Sequence, residues 1–116
     1  MKDYNKLYED TYHLIQKFLK SKNNPYYNTI VTKKYKDLFH RDALACISFF
    51  GADKEQHYMY FNGAYNIDLN RMVFTSITIV SRENLSKNVG TYETKVHIDS
   101  IDDVNGFLDY LEYAFE

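Results

Sequence analysis

Both ends of the chain carry apolar residues at helical spacing, whereas the segments between them carry strand patterns, and this order constrains the fold most. From Asp3 to about Lys20, apolar side chains recur at three- and four-residue steps, which predicts an amphipathic helix. Asp3 is suited to cap its start. Asn23-Asn24-Pro25 predicts its end, because the residue before a proline is pushed out of the helical region.

The C-terminal segment shows the same spacing from Ile101 to Phe115. Ser100, followed three residues later by Asp103, resembles a capping box at the start of this segment. A second amphipathic helix is therefore predicted at this end of the chain.

The middle of the chain carries four strand patterns and one weaker candidate. The run ALACISFF at Ala43–Phe50 is almost entirely apolar and predicts a centrally buried strand, with a buried helical turn as the competing interpretation. Residues 26–32 form the weaker candidate, and residues 33–40 fit either a helical turn or a strand. The remaining strand predictions are His57–Phe61, Met72–Val80 and Tyr92–Ile98, the last of which alternates between Tyr, Thr, Val and Ile on one face and Glu, Lys and His on the other.

The dipeptide Asn62-Gly63 is a strong hairpin signal that directly follows an aromatic segment. Two returns from it are compatible with the sequence. One is a tight return through Ala64–Ile67, and the other is a longer excursion that brings Met72–Val80 alongside.

These patterns predict an α+β fold in which an antiparallel sheet of about four to five strands carries an N-terminal and a C-terminal amphipathic helix. The chain has 116 residues and 45% hydrophobic residues, which is enough for one hydrophobic core. We therefore expect a single domain, 1–116.

The single cysteine, Cys46, excludes an intramolecular disulfide and fits a reducing compartment. The charged N-terminus does not resemble a secretory signal, and no apolar run approaches the length of a membrane span. We expect a cytoplasmic protein without membrane contact.

Signatures of catalysis are lacking in the sequence. Cys46 lies in the most apolar segment, where a thiol is a poor nucleophile, and the four scattered glycines form no phosphate-binding loop. The four histidines have no metal-site spacing. We expect no cofactor and no metal, although an enzyme with a site built from His57, His97 and Tyr residues of the sheet stays an alternative.

Charge is distributed unevenly along the chain although its net value is only −2. The segment from residue 17 to residue 41 contains seven basic residues and one acid, Asp37, with tyrosines among them. The segment from Glu93 onward contains seven acids and one base, Lys95. Both regions are compatible with ordinary solvated surfaces that attract each other. Aromatic residues make up 17% of the chain, and exposed tyrosines are typical of binding surfaces.

The leading hypothesis is a small non-enzymatic protein-binding module, such as an inhibitor, immunity or accessory protein, that binds a basic partner surface. The composition of the chain, rich in Lys, Asn, Tyr and Ile, is of the kind found in bacterial mobile elements. The residues assigned to this acidic, tyrosine-bearing surface are Asp102, Asp103, Asp109, Tyr110, Glu112 and Tyr113.

The alternative hypothesis is a nucleic-acid contact through the basic-aromatic segment 17–41. The residues assigned to it are Lys20, Lys22, Tyr26, Tyr27, Lys33, Lys34 and Lys36. A homodimer is a further alternative, in which the strand Tyr58–Phe61 pairs at a sheet edge or presents its outer face to a second copy.

Overall fold

The computed structural model describes residues 2–30, 43–51, 56–81 and 93–114. In chain order, its elements are α1 (Tyr4–Ser21), β1 (Tyr26–Ile30), β2 (Ala43–Phe50), β3 (Gln56–Asn66), β4 (Arg71–Ser81), β5 (Glu93–His97) and α2 (Ile101–Ala114). The strands form one sheet in the order β1-β2-β3-β4-β5, and all neighbouring strands are antiparallel. The predicted α+β fold, with a helix at each end, is confirmed. Residues 33–40, whose structure the sequence left open, lie outside the described ranges.

Helix α1 begins and ends with the capping groups that the sequence predicts. The Asp3 side chain accepts a hydrogen bond from Lys6 N at 3.0 Å. At the other end Asn23 adopts a left-handed conformation with φ of 53° and donates from its backbone to Lys20 O, while Asn24 N donates to Leu19 O. This pair of hydrogen bonds is a Schellman motif, in which a left-handed residue ends the helix and satisfies its last carbonyls.

The Asn24 side chain connects the end of α1 to the end of β2. Its Nδ2 donates to Phe50 O, and its Oδ1 accepts from Phe50 N at 3.1 Å. The amide thus forms the same pair of hydrogen bonds as a residue of a neighbouring strand. It extends the ladder between β1 and β2 beyond the pair Tyr26 and Phe49.

Of the two returns left open at Asn62-Gly63, the structure shows the longer one, which brings Met72–Val80 alongside, and the chain does not turn at Asn62-Gly63 itself. β3 continues through Gly63, and Tyr65 pairs with Met72 of β4. The register shifts here, because Asn62 pairs with Ser76 and Gly63 with Phe74, which leaves Thr75 of β4 as the extra residue of a β-bulge. A tight turn of the favoured type needs positive φ at both central residues, and neither residue has it.

The chain reverses instead at residues 67–70. Asn66 Oδ1 accepts from Leu69 N at 3.0 Å, Asn70 N donates to Ile67 O, and Asn70 has a φ of 53°. Ile67 at this tip is 84% exposed. The turn therefore uses Asn side chains and one left-handed Asn, which are common turn devices.

Both helices cover the same face of the sheet and form the main core with it. The buried residues of this core are Leu7, Ile15, Leu19, Ala45, Ile47, Phe49, Met59, Phe61, Phe74, Ile77, Ile79, Ile98, Val104, Phe107 and Leu111. Tyr8 and Tyr12 of α1 lie over the sheet, with ring centroids 6.0 Å and 5.3 Å from that of Phe61. The predicted packing of both amphipathic helices against the sheet is confirmed.

Helices α1 and α2 run side by side in the same direction. Near their starts, Lys2 Nζ lies 3.3 Å from an Asp99 carboxylate oxygen. Near their ends, Lys22 Nζ lies 2.7 Å from Glu112 Oε1. Like ends therefore lie together, and the outer surfaces of the two helices form one continuous layer.

The sheet order also tests two expectations about single strands. β3 lies between β2 and β4, so the segment Tyr58–Phe61 is internal and does not offer a free edge for strand pairing. β2 alternates between buried and half-buried residues rather than being buried on both faces.

Within the described ranges, no helix has the length and apolarity to span a membrane.

Candidate functional site

The start of α2 explains why two of the predicted acidic residues occur where they do. Asp103 Oδ2 accepts from Asp99 N at 2.8 Å and from Ser100 N at 3.3 Å. The Asp103 carboxylate therefore caps the helix, as the predicted capping box requires. Asp102 lies in the same first turn, where the helix dipole favours negative charge. Asp103 is engaged within the chain, whereas Asp102 is exposed.

The outer side of α2 carries the other acidic residues. Val104, Phe107 and Leu111 turn inward and are buried, and the side chains on the opposite side are exposed to solvent. We call the exposed residues Asp102, Asn105, Gly106, Asp109 and Glu112 the acidic face of α2. Asp102 and Asp109 are seven residues apart, which puts their side chains about 10 Å from each other along one side of the helix.

Tyr110 lies at the border between α2 and the sheet. It is 37% exposed, its ring centroid is 6.4 Å from that of Phe107, and its hydroxyl donates to Thr94 Oγ1 of β5 at 3.4 Å. The ring is thus held in place while one part faces solvent, which suits an anchor residue. Tyr113, the second predicted anchor, belongs to α2, but its side chain lies outside the described part of the structure.

The predicted basic and acidic regions meet within the chain. Lys22, immediately after α1, forms the 2.7 Å ion pair with Glu112, and its ammonium also lies 5.7 Å from the Phe18 ring centroid. Both charged side chains are almost half exposed, so this is a surface pair of modest strength. Lys22 of the predicted nucleic-acid site and Glu112 of the predicted protein-binding site are therefore paired with each other.

The residues predicted to contact nucleic acid are brought together only in part. Lys20 is exposed, Lys22 is paired with Glu112, and Tyr26 is half-buried against the core. The Tyr27 side chain and Lys33, Lys34 and Lys36 lie outside what the structure describes. Among the described residues, Lys17 and Lys20 are thus the exposed bases of this segment that form no ion pair.

A buried polar cluster that the sequence analysis does not predict lies on the sheet face opposite the helices. Asn62 Nδ2 donates to Ser76 Oγ at 3.1 Å and to Thr78 Oγ1 at 2.7 Å, and all three side chains are buried. The Asn62 Oδ1 atom has no hydrogen-bond partner. Such an atom in a buried position is uncommon. Of these three residues, Asn62 is singled out by the sequence, as part of a hairpin signal and not as a buried polar group.

The residues considered for catalysis do not converge. His57 lies on the helix-covered face, with its ring centroid 5.7 Å from that of Phe49. His97 pairs with Ser76 and is exposed on the other face, on a strand that is not adjacent to β3. Burial raises the pKa of the Cys46 thiol to about 11, which keeps it protonated and unreactive near neutral pH.

Metal ligands do not cluster either in the part of the chain that the structure describes, since no three His, Cys, Asp or Glu side chains come together there. Comparisons of the chain with models of known families, with curated proteins and with solved structures find no match.

Proposed function

We propose that this protein is a non-enzymatic binding module that uses the acidic face of α2, with Tyr110 at its border, to contact a basic surface on a protein partner. It would act stoichiometrically, as an inhibitor, immunity or accessory protein does. The single cysteine supports a reducing compartment, and we propose the cytoplasm. The observation that carries the proposal is the position of Asp109.

Asp109 lies at a position in α2 where a negative charge does not stabilise the helix. The dipole favours negative charge in the first turn and disfavours it toward the C-terminal end. Asp102 and Asp103 are explained by this effect, and Glu112 is compensated by Lys22. Asp109 forms no ion pair within the described ranges and is exposed. A cationic group on a partner would supply the missing compensation.

Gly106 adds a second feature that the fold does not require. A Cβ atom at this position would meet no heavy atom within 4 Å, and Gly in a helix interior costs about 0.5–1 kcal/mol relative to Ala. The residue is exposed on the acidic face between Asp102 and Asp109. The missing side chain leaves space for close approach of another molecule at this point.

The test is an affinity capture of the tagged protein from native lysate, repeated after nuclease treatment and at raised salt. We expect one protein to be retained after nuclease treatment and to be lost with Asp109→Lys. Asp68→Lys, a matched charge reversal in the exposed turn between β3 and β4, is the control and should retain it. Recovery of nucleic acid that salt removes would contradict the proposal and support the basic segment instead.

A further inference from the structure

We infer that the partner surface for the acidic face of α2 belongs to a second copy of this chain, namely the C-terminal half of α1. The inference rests on the proposed function, since it names the partner of that same face. It predicts a two-fold symmetric dimer in which the helix layers of the two copies face each other. The charge on α1, the direction of the helices and the gap at Gly106 carry it.

The C-terminal half of α1 presents a basic strip, which we define as Lys17 and Lys20. Both side chains are exposed. They point away from the side of α1 that buries Leu7, Ile15 and Leu19. The sequence of α1 contains no acid after Asp10, and neither lysine forms an ion pair within the described residues. The strip is therefore a positive surface that the acids of the described ranges leave uncompensated.

The side-by-side arrangement of α1 and α2 makes this surface complementary to itself. A two-fold axis parallel to the helices, between two stacked helix layers, places α1 of one copy over α2 of the other. The second contact is identical, because a two-fold interface uses the same patch twice. Each basic strip then faces an acidic face, and like charges are kept apart.

The levels of the charges along the helices agree with this arrangement. Lys22 and Glu112 lie at about the same level, because their side chains reach each other to form an ion pair. Lys20 precedes Lys22 by two residues and Asp109 precedes Glu112 by three, which corresponds to about 3 Å and about 4.5 Å of helix. A rotation about an axis parallel to the helices preserves these levels, so Lys20 of one copy faces Asp109 of the other.

Gly106 lies one turn before Asp109, at a level where α1 of the second copy would lie alongside α2. The distance between two packed helices depends on the side chains at their contact. An exposed glycine with no heavy atom within 4 Å of its Cβ position permits closer approach there than any other residue. The fold of a single copy does not require glycine at position 106, but close packing of two copies would.

Sedimentation velocity of the purified protein over a range of concentrations tests the inference. We expect reversible dimers whose dissociation constant rises at least tenfold between about 25 mM and about 500 mM salt, since exposed charges are screened. Lys20→Glu alone and Asp109→Lys alone should each weaken dimerisation at least tenfold at low salt. Asp68→Lys is the matched control and should dimerise like the parent protein.

Mixing the two variants is the decisive measurement. In a dimer of Lys20→Glu with Asp109→Lys, one contact regains opposite charges and the other keeps the original pair. The mixture should therefore form heterodimers more strongly than either variant forms homodimers. Circular dichroism and thermal unfolding of each variant show whether the fold is retained.

Two results would overturn the inference. One is a monomer at all concentrations, and the other is a dimer that forms equally well with Asp109→Lys or gains nothing in the mixture. The proposed function is tested separately by the lysate capture. If the protein is monomeric but captures another protein through Asp109, the inference fails and the proposed function stands, whereas a protein that neither dimerises nor captures a partner contradicts both.

Discussion

The ammonium of Lys22 lies 2.7 Å from Glu112 Oε1 and joins the end of α1 to the last turns of α2. The two residues are 90 positions apart in the sequence. This ion pair shows the relative level of the two helices and connects the basic and acidic regions of the chain. It is also the contact that a cation approaching Glu112 would have to replace.

We expect the Lys22–Glu112 pair to contribute little to stability. Exposed ion pairs contribute about 0.2–1 kcal/mol, and both side chains here are almost half exposed. A double-mutant cycle with Lys22→Ala and Glu112→Ala, measured by urea unfolding, should give a coupling free energy in this range that decreases at high salt. A coupling well above it would mean that the pair is a structural clamp rather than a surface contact.

Gly106→Ala should stabilise the protein by about 0.5–1 kcal/mol, because alanine is the better helix former and its Cβ would meet no other atom. The same variant should weaken association through the acidic face. Chemical unfolding and sedimentation velocity check the two effects on one sample. Equal association of variant and parent would show that the gap at this position has no role in binding.

The Cys46 thiol should make the protein less stable at alkaline pH. Burial raises its pKa from 9.0 to about 11 in the folded state. Below pH 9 both states are protonated and the full stability is present. Between pH 9 and 11 the unfolded chain loses the thiol proton first, so stability falls as pH rises. The free energy of unfolding of Cys46→Ala, measured across this window, should show a weaker pH dependence than that of the parent.

Tyr12 adds a similar dependence at higher pH, because burial raises its pKa from 10.0 to about 12. The contribution of Cys46 is distinguished by its lower window and by the variant. If the parent and Cys46→Ala show the same pH dependence from pH 9 to 11, the thiol ionises equally in both states and the prediction is wrong.

The buried cluster of Asn62, Ser76 and Thr78 should respond non-additively to substitution. Asn62→Leu leaves two buried hydroxyls without their donor and should cost about 1–3 kcal/mol. Adding Ser76→Ala and Thr78→Val removes these polar groups, and the triple variant should be more stable than Asn62→Leu alone. Urea unfolding of both variants tests this, and a purely additive loss would contradict it.

The helices and their ends were predictable because their signals are local. Asp3, Asn23 and Asp103 act on backbone groups within a few residues of themselves, and the apolar spacing of each helix marks its buried side. The strands of residues 72–80 and 93–97 were predictable for the same reason. The first is rich in Val, Ile, Thr and Phe, and the second alternates between its two faces.

The features that sequence reasoning missed depend on distant contacts. Asn62-Gly63 has the composition of a turn, but pairing with β4 holds it in a continuous strand opposite a bulge at Thr75. The pairing of Lys22 with Glu112, and the cluster of Asn62 with Ser76 and Thr78, require the register of the sheet and the relative level of the helices. The acidic composition of α2 and the exposure of Asp109 were predictable from the apolar spacing of the helix, but the pairing of Glu112 with Lys22 was not.

The side-by-side packing of α1 and α2 has a consequence for folding during synthesis. About 80 residues separate the end of α1 from the start of α2, so at about 5–20 residues per second the ribosome produces α2 roughly 4–16 s after α1. Throughout this interval Ile15 and Leu19 lack the helix that completes their core. The nascent chain thus exposes an apolar helix face for seconds, and a chaperone that binds it would protect the protein until α2 emerges.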